Sequence, residues 1–289
     1  MNGEETFTRL QAMARSFADR HGAAAPTEEY LNRHVLESFL ARLSASVYRD
    51  DFVIKGGILL GAYGIRRPTR DVDSNAIAAT VIPESIAAVA EYLAEIDADD
   101  GVSFDSASMS VKVIRGEAQY PGVRLRMGAS IGSWRGLFSW DVSAGDPVVP
   151  GPRTLVFNRL LGEPLKLLAY SPELTVAEKG VTILERGTAS TRWRDYVDIV
   201  ELGKRGLNKR ELLAAARSVA QYRNVALKPI APLLSGYGYI AQRKWAAWRR
   251  KEHLEEGAAE LLDDQIAMVS AIIDPIFTTS QDASTLDDL

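Results

Sequence analysis

The chain has no cysteine and only three histidines among its 289 residues. The absence of cysteine excludes disulfide bonds, thiolate metal sites and a cysteine nucleophile. No histidine lies four residues from another, so a histidine-rich metal centre is not expected either. Any bound metal should therefore be a hard cation with oxygen ligands, which favours Mg²⁺ or Mn²⁺.

The sequence also lacks a long apolar run and a strong charge of either sign. No run approaches the roughly 20 residues that span a bilayer, so we expect a cytoplasmic protein that does not bind a membrane. The formal net charge of −4 argues against a protein that coats nucleic acid by bulk electrostatics. A local basic surface is still compatible with this charge, because residues 243–251 carry five bases and no acid.

Apolar periodicity predicts an α/β fold of the α+β kind, with a mixed sheet core and flanking helices. Two helices, over residues 4–20 and 27–46, precede a short strand at residues 51–54. Several β-like runs separated by Gly and Pro follow between residues 110 and 157.

The character of the sequence changes to helices from about residue 165. We therefore place a boundary near residue 160. Residues 1–160 should form the core with its two N-terminal helices, and residues 161–289 a mainly helical domain. We expect this second domain to close the active site and to offer an RNA surface.

The strongest chemical signal is the stretch KGGILLGAYGIRRPTRDVD, which starts at Lys55. The adjacent Gly56 and Gly57 let the backbone approach a ligand at the start of a short apolar helix. Asp71 and Asp73 alternate on the strand that follows, so both carboxylates point to one side and require a cation between them. This order of elements is that of the nucleotidyltransferase-β fold, in which the glycine turn binds a triphosphate and the carboxylates hold metal ions.

A later strand offers a third carboxylate. In residues 137–142 large apolar side chains alternate with polar ones, which puts Asp141 on the face opposite the apolar groups. Asp141 is therefore the predicted third metal ligand, with an exposed strand residue as the alternative. Arg124 and Arg126 alternate on the preceding run, where they either face the nucleotide or the acceptor or lie on a solvated strand face.

Four motifs in a fixed order support a more specific interpretation. They are Lys55-Gly56-Gly57 with Leu59-Leu60 and Tyr63, then Arg67, Thr69, Asp71 and Asp73, then Ala177-Glu178-Lys179, and last Arg194-Asp195-Tyr196 with Asp198-Ile199. Over residues 50–200 this combination resembles the AbiEii/AbiGii nucleotidyltransferase toxin family, including its mycobacterial tRNA-modifying members. The resemblance implies a toxin with a cognate antitoxin protein, which transfers NMP from NTP to an RNA 3′ end, foremost the tRNA acceptor, and so blocks translation.

The resemblance also implies residue roles. The glycine pair and the Asp-x-Asp pair match the first motif and its catalytic metal ligands. Lys179 resembles the family lysine that contacts the triphosphate, and Lys55 is the weaker candidate because it also marks the turn into the helix. Asp195 resembles the downstream catalytic aspartate.

Residues 191–203 form a predicted helix with one apolar stripe. Asp195 and Asp198, three residues apart, should share the face opposite this stripe. Asp195 is alternatively a structural aspartate paired with Arg192 or Arg194, and Asp198 is left open between a structural role and a site role. Lys179 is alternatively a solvated lysine of its own helix.

The segment QRKWAAWRRKEH combines bases with aromatic residues. This pattern suits phosphate contact and base stacking, but Trp245 and Trp248 also have the spacing of core anchors on an amphipathic helix. In that case the basic face still contacts RNA while the tryptophans point inward. The candidate RNA contacts are Arg243, Lys244, Arg249, Arg250 and Lys251.

Thr69 lies two residues before Asp71 and is a candidate regulatory site. Some members of the family that the chain resembles are silenced by a partner that phosphorylates this position. A phosphate there would add a charge of roughly −1.5 to −2 beside the triphosphate site. The alternative is an ordinary hydroxyl at the start of a strand.

Two other functions compete with RNA modification. The first is nucleotide transfer to a protein or a small molecule, which requires only a compact acceptor pocket. The second is a catalytically silent module that uses the same cleft to bind a nucleotide or an antitoxin.

Overall fold

The structure is a computed structural model that describes residues 1–22, 24–65, 68–114 and 122–279. Within these residues it confirms the predicted mixed α/β class, with one seven-stranded mixed sheet and ten α-helices. Arg66 and Arg67, of which Arg67 belongs to the second motif, and residues 280–289 lie outside the described residues. The chain forms two compact units, which are Met1–Asp146 with Pro152–Tyr170, and Pro147–Gly151 with Ser171–Leu289.

The first unit contains the whole sheet. Its helices are α1 (Gly3–His21), α2 (Thr27–Ala45), α3 (Gly56–Ala62) and α4 (Pro83–Glu95). Its strands are β1 (Phe52–Lys55), β2 (Val72–Ala76), β3 (Val102–Ile114), β4 (Gly122–Ile131), β5 (Trp134–Ala144), β6 (Arg153–Phe157) and β7 (Leu165–Ala169). Their order in the sheet is β3-β4-β5-β2-β1-β7-β6.

The core of this unit lies between α2 and the sheet. Phe39 of α2 is fully buried against Phe138 and Trp140 of β5, with ring centroids 4.4 and 5.0 Å away. The Trp140 indole also donates a hydrogen bond of 2.9 Å to the hydroxyl of Ser74 on β2. These contacts hold β5 beside β2, which is the pair of strands that matters for the site.

One helix prediction and one strand boundary need correction. The segment Leu165–Ala169 is a strand, although its composition of leucine, lysine and alanine suggested a helix. It pairs with β1 on one side and β6 on the other, and such tertiary pairing overrides the weak local preference for a helix. Strand β3 starts at Val102 and includes a register shift between Asp105 and Ser110, so the predicted run from residue 110 is only its second half.

The second unit is helical. Its helices are α5 (Pro172–Arg186), α6 (Trp193–Gly203), α7 (Lys209–Arg223), α8 (Ile230–Leu233), α9 (Tyr237–Lys251) and α10 (Leu262–Thr279). The Ser171 hydroxyl accepts a hydrogen bond of 3.0 Å from the Leu174 N–H and so caps the N-terminus of α5. Trp193, Trp245 and Trp248 form an aromatic group with ring centroids 5.2 to 6.2 Å apart.

None of the helices in the described part of the chain has the length and apolar character that a membrane crossing requires.

Candidate active site

Four charged residues lie side by side across β1, β2, β5 and β4. The strand register pairs Lys55 with Asp73, Asp73 with Asp141, and Asp141 with Arg124. Directly paired residues project to the same face of a sheet, so the four side chains share one face. We call this set the charged row. Two carboxylates lie at its centre and a basic residue lies at each end.

Asp71 completes a group of three acids with the two acids of the charged row. It lies immediately before β2, two residues from Asp73 and on the same side of the chain. Asp71, Asp73 and Asp141 each offer one oxygen, and these oxygens all lie within 4.8 Å of one another. We call them the carboxylate cluster. Such a set of hard oxygen donors has the chemistry that Mg²⁺ and Mn²⁺ prefer.

Two features require glycine at position 56. Its φ of +70° is a left-handed conformation that disfavours any side chain. A Cβ atom built there would also lie only 1.9 Å from Oδ2 of Asp73. The first glycine of the pair therefore lets the backbone turn into α3 and makes room for a carboxylate of the cluster, while Gly57 is buried within α3.

Arg124 faces the carboxylate cluster. Its Nε donates a hydrogen bond of 2.7 Å to Oδ1 of Asp141, and its Nη2 donates to Oδ2 of the same side chain. The hydrogen bonds to Asp141 raise the pKa of Arg124, and the charges of Asp71 and Asp73 contribute in the same direction. Arg126, two residues along β4, is exposed and pairs in register with Ser139 instead of an acid.

Lys55 contacts a carboxylate outside the cluster. Its Nζ lies 2.9 Å from Oδ2 of the buried Asp146 and 5.4 Å from the centre of the Tyr170 ring. The side chain is 12% exposed. The structure thus gives Lys55 a packing and pairing role inside the first unit, and its contact with a triphosphate stays a prediction.

Thr69 lies beside the cluster. Its hydroxyl is 3.3 Å from Oδ1 of Asp71. Thr69 also lines a cavity of about 170 Å³, whose walls come from α2, α3 and residues 157–165. None of the three acids lines this cavity, so the cavity and the carboxylate cluster are separate features that meet at Thr69.

A second group of charges lies inside the helical unit. Nζ of Lys179 lies 2.6 Å from Oδ1 of Asp195 and 2.9 Å from Oδ2 of Asp198. Nε of Arg192 lies 2.7 Å from the other oxygen of Asp195. We call these four residues the ion cluster.

Asp195 and Asp198 lie opposite the apolar stripe of α6, but that face is buried as well. Their side chains are only 3% and 1% exposed, because α6 is buried on both of its faces. Burial raises the pKa of Asp195, but Lys179 and Arg192 outweigh that effect, and the pKa lies below its ordinary value. Asp195 is thus ionised and paired. The spacing of Asp195 and Asp198 was the available signal, but helical periodicity alone does not identify their cation.

Comparison with known proteins agrees with this geometry. Residues 38–281 match the family described as nucleotidyl transferase AbiEii toxin, type IV toxin–antitoxin system. The chain belongs to the AbiEii family. Membership of this family implies that the substrate is an NTP. It also implies that the chain has an antitoxin partner.

Two solved structures from Helicobacter pylori match the chain, and the first of them is similar in fold. The crystal structure of JHP933 has a TM-score of 0.50 at 12% sequence identity, and the match covers 87% of this chain and 93% of that one. A second protein, provisionally described as a nucleotidyltransferase, has a TM-score of 0.48 at 14% identity, over 87% of this chain and 96% of that one. Among curated proteins no relative matches.

The basic segment of this AbiEii protein forms the end of α9. Trp245 is fully buried and Trp248 half-buried, so the tryptophans anchor the helix. Arg249 needs correction as an RNA contact, because it is buried and donates hydrogen bonds to the carbonyls of Glu255 and Ala258. The exposed basic residues are Arg243, Lys244, Arg250 and Lys251.

Proposed function

We propose that this AbiEii protein transfers NMP from an NTP to the 3′ end of an RNA, foremost the tRNA acceptor, with Mg²⁺ or Mn²⁺, and thereby blocks translation. The carboxylate cluster is the observation that carries this proposal. Three acids from two neighbouring strand segments, β2 with the residue before it and β5, bring ligand oxygens within 4.8 Å of one another. Gly56 lies directly beside one of them.

Asp71, Asp73 and Asp141 would hold the metal ions. Like charges at this separation repel each other, so an arrangement that keeps three carboxylates together is suited to cations. Bound metal ions would supply a lower pKa for the attacking hydroxyl and neutralise the charge of the departing pyrophosphate.

The reaction is an in-line substitution at the α-phosphorus of the NTP. A bond forms between the RNA 3′ oxygen and this phosphorus, and the bond to the oxygen that bridges to the β-phosphate breaks. Pyrophosphate leaves with the electron pair, and the hydroxyl proton passes to solvent. The backbone N–H groups of Gly56 and Gly57 would bind the triphosphate.

Lys179 would contact the β- and γ-phosphates, as the family resemblance implies. The ion cluster suggests how Asp195 contributes. Its carboxylate accepts a hydrogen bond of 2.6 Å from the Lys179 ammonium and also contacts Arg192, so it fixes the position of the lysine. In this proposal Asp195 acts through Lys179, and Asp198 contributes in the same way.

RNA is favoured over a protein or small-molecule acceptor by the exposed face of α9. Arg243, Lys244, Arg250 and Lys251 are exposed there, and Tyr239 on the same helix is 89% exposed. Exposed bases near an exposed aromatic ring suit contact with RNA phosphates and bases. A small acceptor would need no such surface.

Regulation through Thr69 is part of the proposal. Its hydroxyl lies 3.3 Å from Oδ1 of Asp71, so a phosphate on it would repel the carboxylate and compete for the same cations. Co-expression with the cognate antitoxin followed by intact-mass measurement tests this proposal. An unmodified mass of the inactive protein would contradict it.

The activity is tested with purified protein, each NTP separately and deproteinised tRNA, followed by sequencing of the RNA 3′ ends. We expect added nucleotides with the natural chain and none with Asp71→Ala. Asp50→Ala is the matched control, because Asp50 is 73% exposed in the turn before β1. Labelled NTP offered to total RNA and to protein extract separates RNA from protein acceptors.

Growth inhibition on induced expression tests the silent-module alternative. The proposal expects Asp71→Ala to abolish inhibition, since catalysis causes the toxicity. Unchanged inhibition by this variant would show that binding alone is toxic.

A further inference from the structure

The bond between Arg124 and Asp141 engages both oxygens of one carboxylate in the cluster. Nε lies 2.7 Å from Oδ1, and Nη2 donates to Oδ2. Asp141 also shares the carboxylate cluster with Asp71 and Asp73. A metal ion that uses Asp141 must therefore displace or share at least one hydrogen bond from Arg124.

Arg124 is placed so that it can leave Asp141. Its side chain is 38% exposed, whereas that of Asp141 is 13% exposed. On the other side of Arg124 the register places Lys112 of β3, which is also exposed. A guanidinium that leaves Asp141 thus loses a carboxylate but stays on the solvent-facing part of the sheet.

The geometry that suits Asp141 also suits a phosphate. The planar guanidinium presents two parallel N–H donors, which match two oxygens of a carboxylate or of a phosphate equally well. Arg124 already lies in the charged row next to the acids that would hold the metal ions of an NTP complex. It can therefore exchange one bidentate partner for another over a short distance.

We propose that Arg124 is an exchangeable counter-cation of the site: it pairs with Asp141, as the structure shows, and exchanges this partner for a phosphate of the NTP when a metal ion takes Asp141. This inference rests on the proposed function, because it requires a metal-dependent nucleotide site. Its consequence is that metal and nucleotide bind cooperatively, since each favours the position of Arg124 that admits the other.

The test is a titration of the full chain with Mn²⁺, in which free Mn²⁺ is followed by electron paramagnetic resonance. Without nucleotide, Arg124→Gln should bind Mn²⁺ more tightly than the natural chain by on the order of tenfold, because a charge-assisted competitor is removed. Arg126→Gln is the matched control. It removes the same charge from the same strand but faces Ser139, so its Mn²⁺ affinity should stay within about twofold of the natural value.

Asp141→Asn shows whether the higher Mn²⁺ affinity of Arg124→Gln depends on the Asp141 carboxylate. In the double variant Arg124→Gln with Asp141→Asn, the tenfold gain should disappear, because the released ligand is no longer there. Arg124→Lys keeps the charge but not the bidentate contact and should lie between the natural chain and Arg124→Gln.

The nucleotide side is measured with a non-hydrolysable α,β-methylene NTP. In the natural chain this analogue should tighten Mn²⁺ binding, and Arg124→Gln should lose most of that cooperativity and bind the analogue more weakly. Equal Mn²⁺ affinity of the natural chain and Arg124→Gln would overturn the inference. It would show that Arg124 does not compete with the metal ion for Asp141. If the natural chain binds no Mn²⁺ even with the analogue, the metal dependence in the proposed function fails instead. Near-UV circular dichroism checks that each variant is folded.

Discussion

The carboxylate cluster and the ion cluster use the same chemical groups at different depths. In the first unit, Asp141 and its partner Arg124 are 13% and 38% exposed. In the second unit, Asp195 and its partner Lys179 are 3% and 13% exposed. Both places hold carboxylates against a basic side chain, so the difference between them is their access to water.

Depth decides whether an ionic partner is exchangeable. Water replaces the contacts of an exposed ion at little cost, so an exposed pair contributes little to stability and can open. A buried ion that loses its partner has no such replacement, and the free energy cost is several kcal/mol. The carboxylate cluster is therefore suited to bind and release cations, and the ion cluster to hold one lysine in a fixed place.

The largest effect should come from Lys179→Met. The change leaves Asp198 buried without the ammonium 2.9 Å away and Asp195 with Arg192 alone. We expect the free energy of unfolding to fall by about 3–5 kcal/mol, measured by urea denaturation followed by far-UV circular dichroism. Lys204→Met is the control, because its pair with Glu201 is 57% and 28% exposed and should contribute less than about 1 kcal/mol. Similar losses in both variants would remove the distinction by depth.

Gly56→Ala tests whether the missing side chain of Gly56 keeps Asp73 in its place in the carboxylate cluster. The left-handed backbone alone should cost about 1–2 kcal/mol, and the new Cβ must also push Asp73 from its place. Mn²⁺ affinity should fall together with stability. Gly61→Ala is the matched control in the same helix, where a Cβ meets nothing within 4 Å and alanine should stabilise α3 by up to about 1 kcal/mol. Unchanged Mn²⁺ affinity in Gly56→Ala would show that this glycine serves the turn only.

Acid should affect the ion cluster through Asp195. Because its pKa is lower in the folded protein than its ordinary value of 3.8, its contribution to stability is present above that value. This contribution is lost as the pH falls through the lower, folded pKa, with a slope of up to about 1.4 kcal/mol per pH unit. The difference in unfolding free energy between the natural chain and Asp195→Asn should therefore shrink below pH ~4. Parallel pH profiles of the two proteins would contradict a depressed pKa.

The smallest effect is expected from Asp71→Asn. Removing one of three neighbouring negative charges relieves repulsion, so the free energy of unfolding should stay constant or rise by less than about 1 kcal/mol. Mn²⁺ binding should nevertheless weaken strongly, because a ligand oxygen loses its charge. A loss of stability greater than about 1 kcal/mol would mean that Asp71 is held as firmly as the acids of the ion cluster.

Local patterns predicted the elements well where the chain is periodic. The helices expected over residues 4–20 and 27–46 correspond to α1 and α2, and the strand expected at residues 51–54 corresponds to β1. Strict alternation placed Asp141 on the face where the structure brings it close to Asp71 and Asp73. These features depend on residues that are neighbours in sequence, so they can be predicted from a single amino-acid sequence.

The remaining features depend on partners that are distant in sequence. The strand Leu165–Ala169 exists because β1 and β6 pair with it, and its own residues favour a helix. Asp195 stays ionised in its buried position because Lys179, 16 residues earlier on another helix, pairs with it. Arg124 likewise reaches an acid 17 residues later. Arg249 looked like a surface base until the carbonyls that it contacts were located. Periodicity shows on which face of a helix or strand a residue lies, but it does not show which other element packs against that face.

The aromatic group of the helical unit gives the protein an optical label. Trp193, Trp245 and Trp248 lie close enough for their indole transitions to couple, whereas Trp140 of the first unit packs against Phe39 and Phe52. The near-ultraviolet spectrum therefore contains a signal that belongs to the helices alone. The helical unit can be followed by this signal while the first unit is perturbed, without any dye attached to the chain.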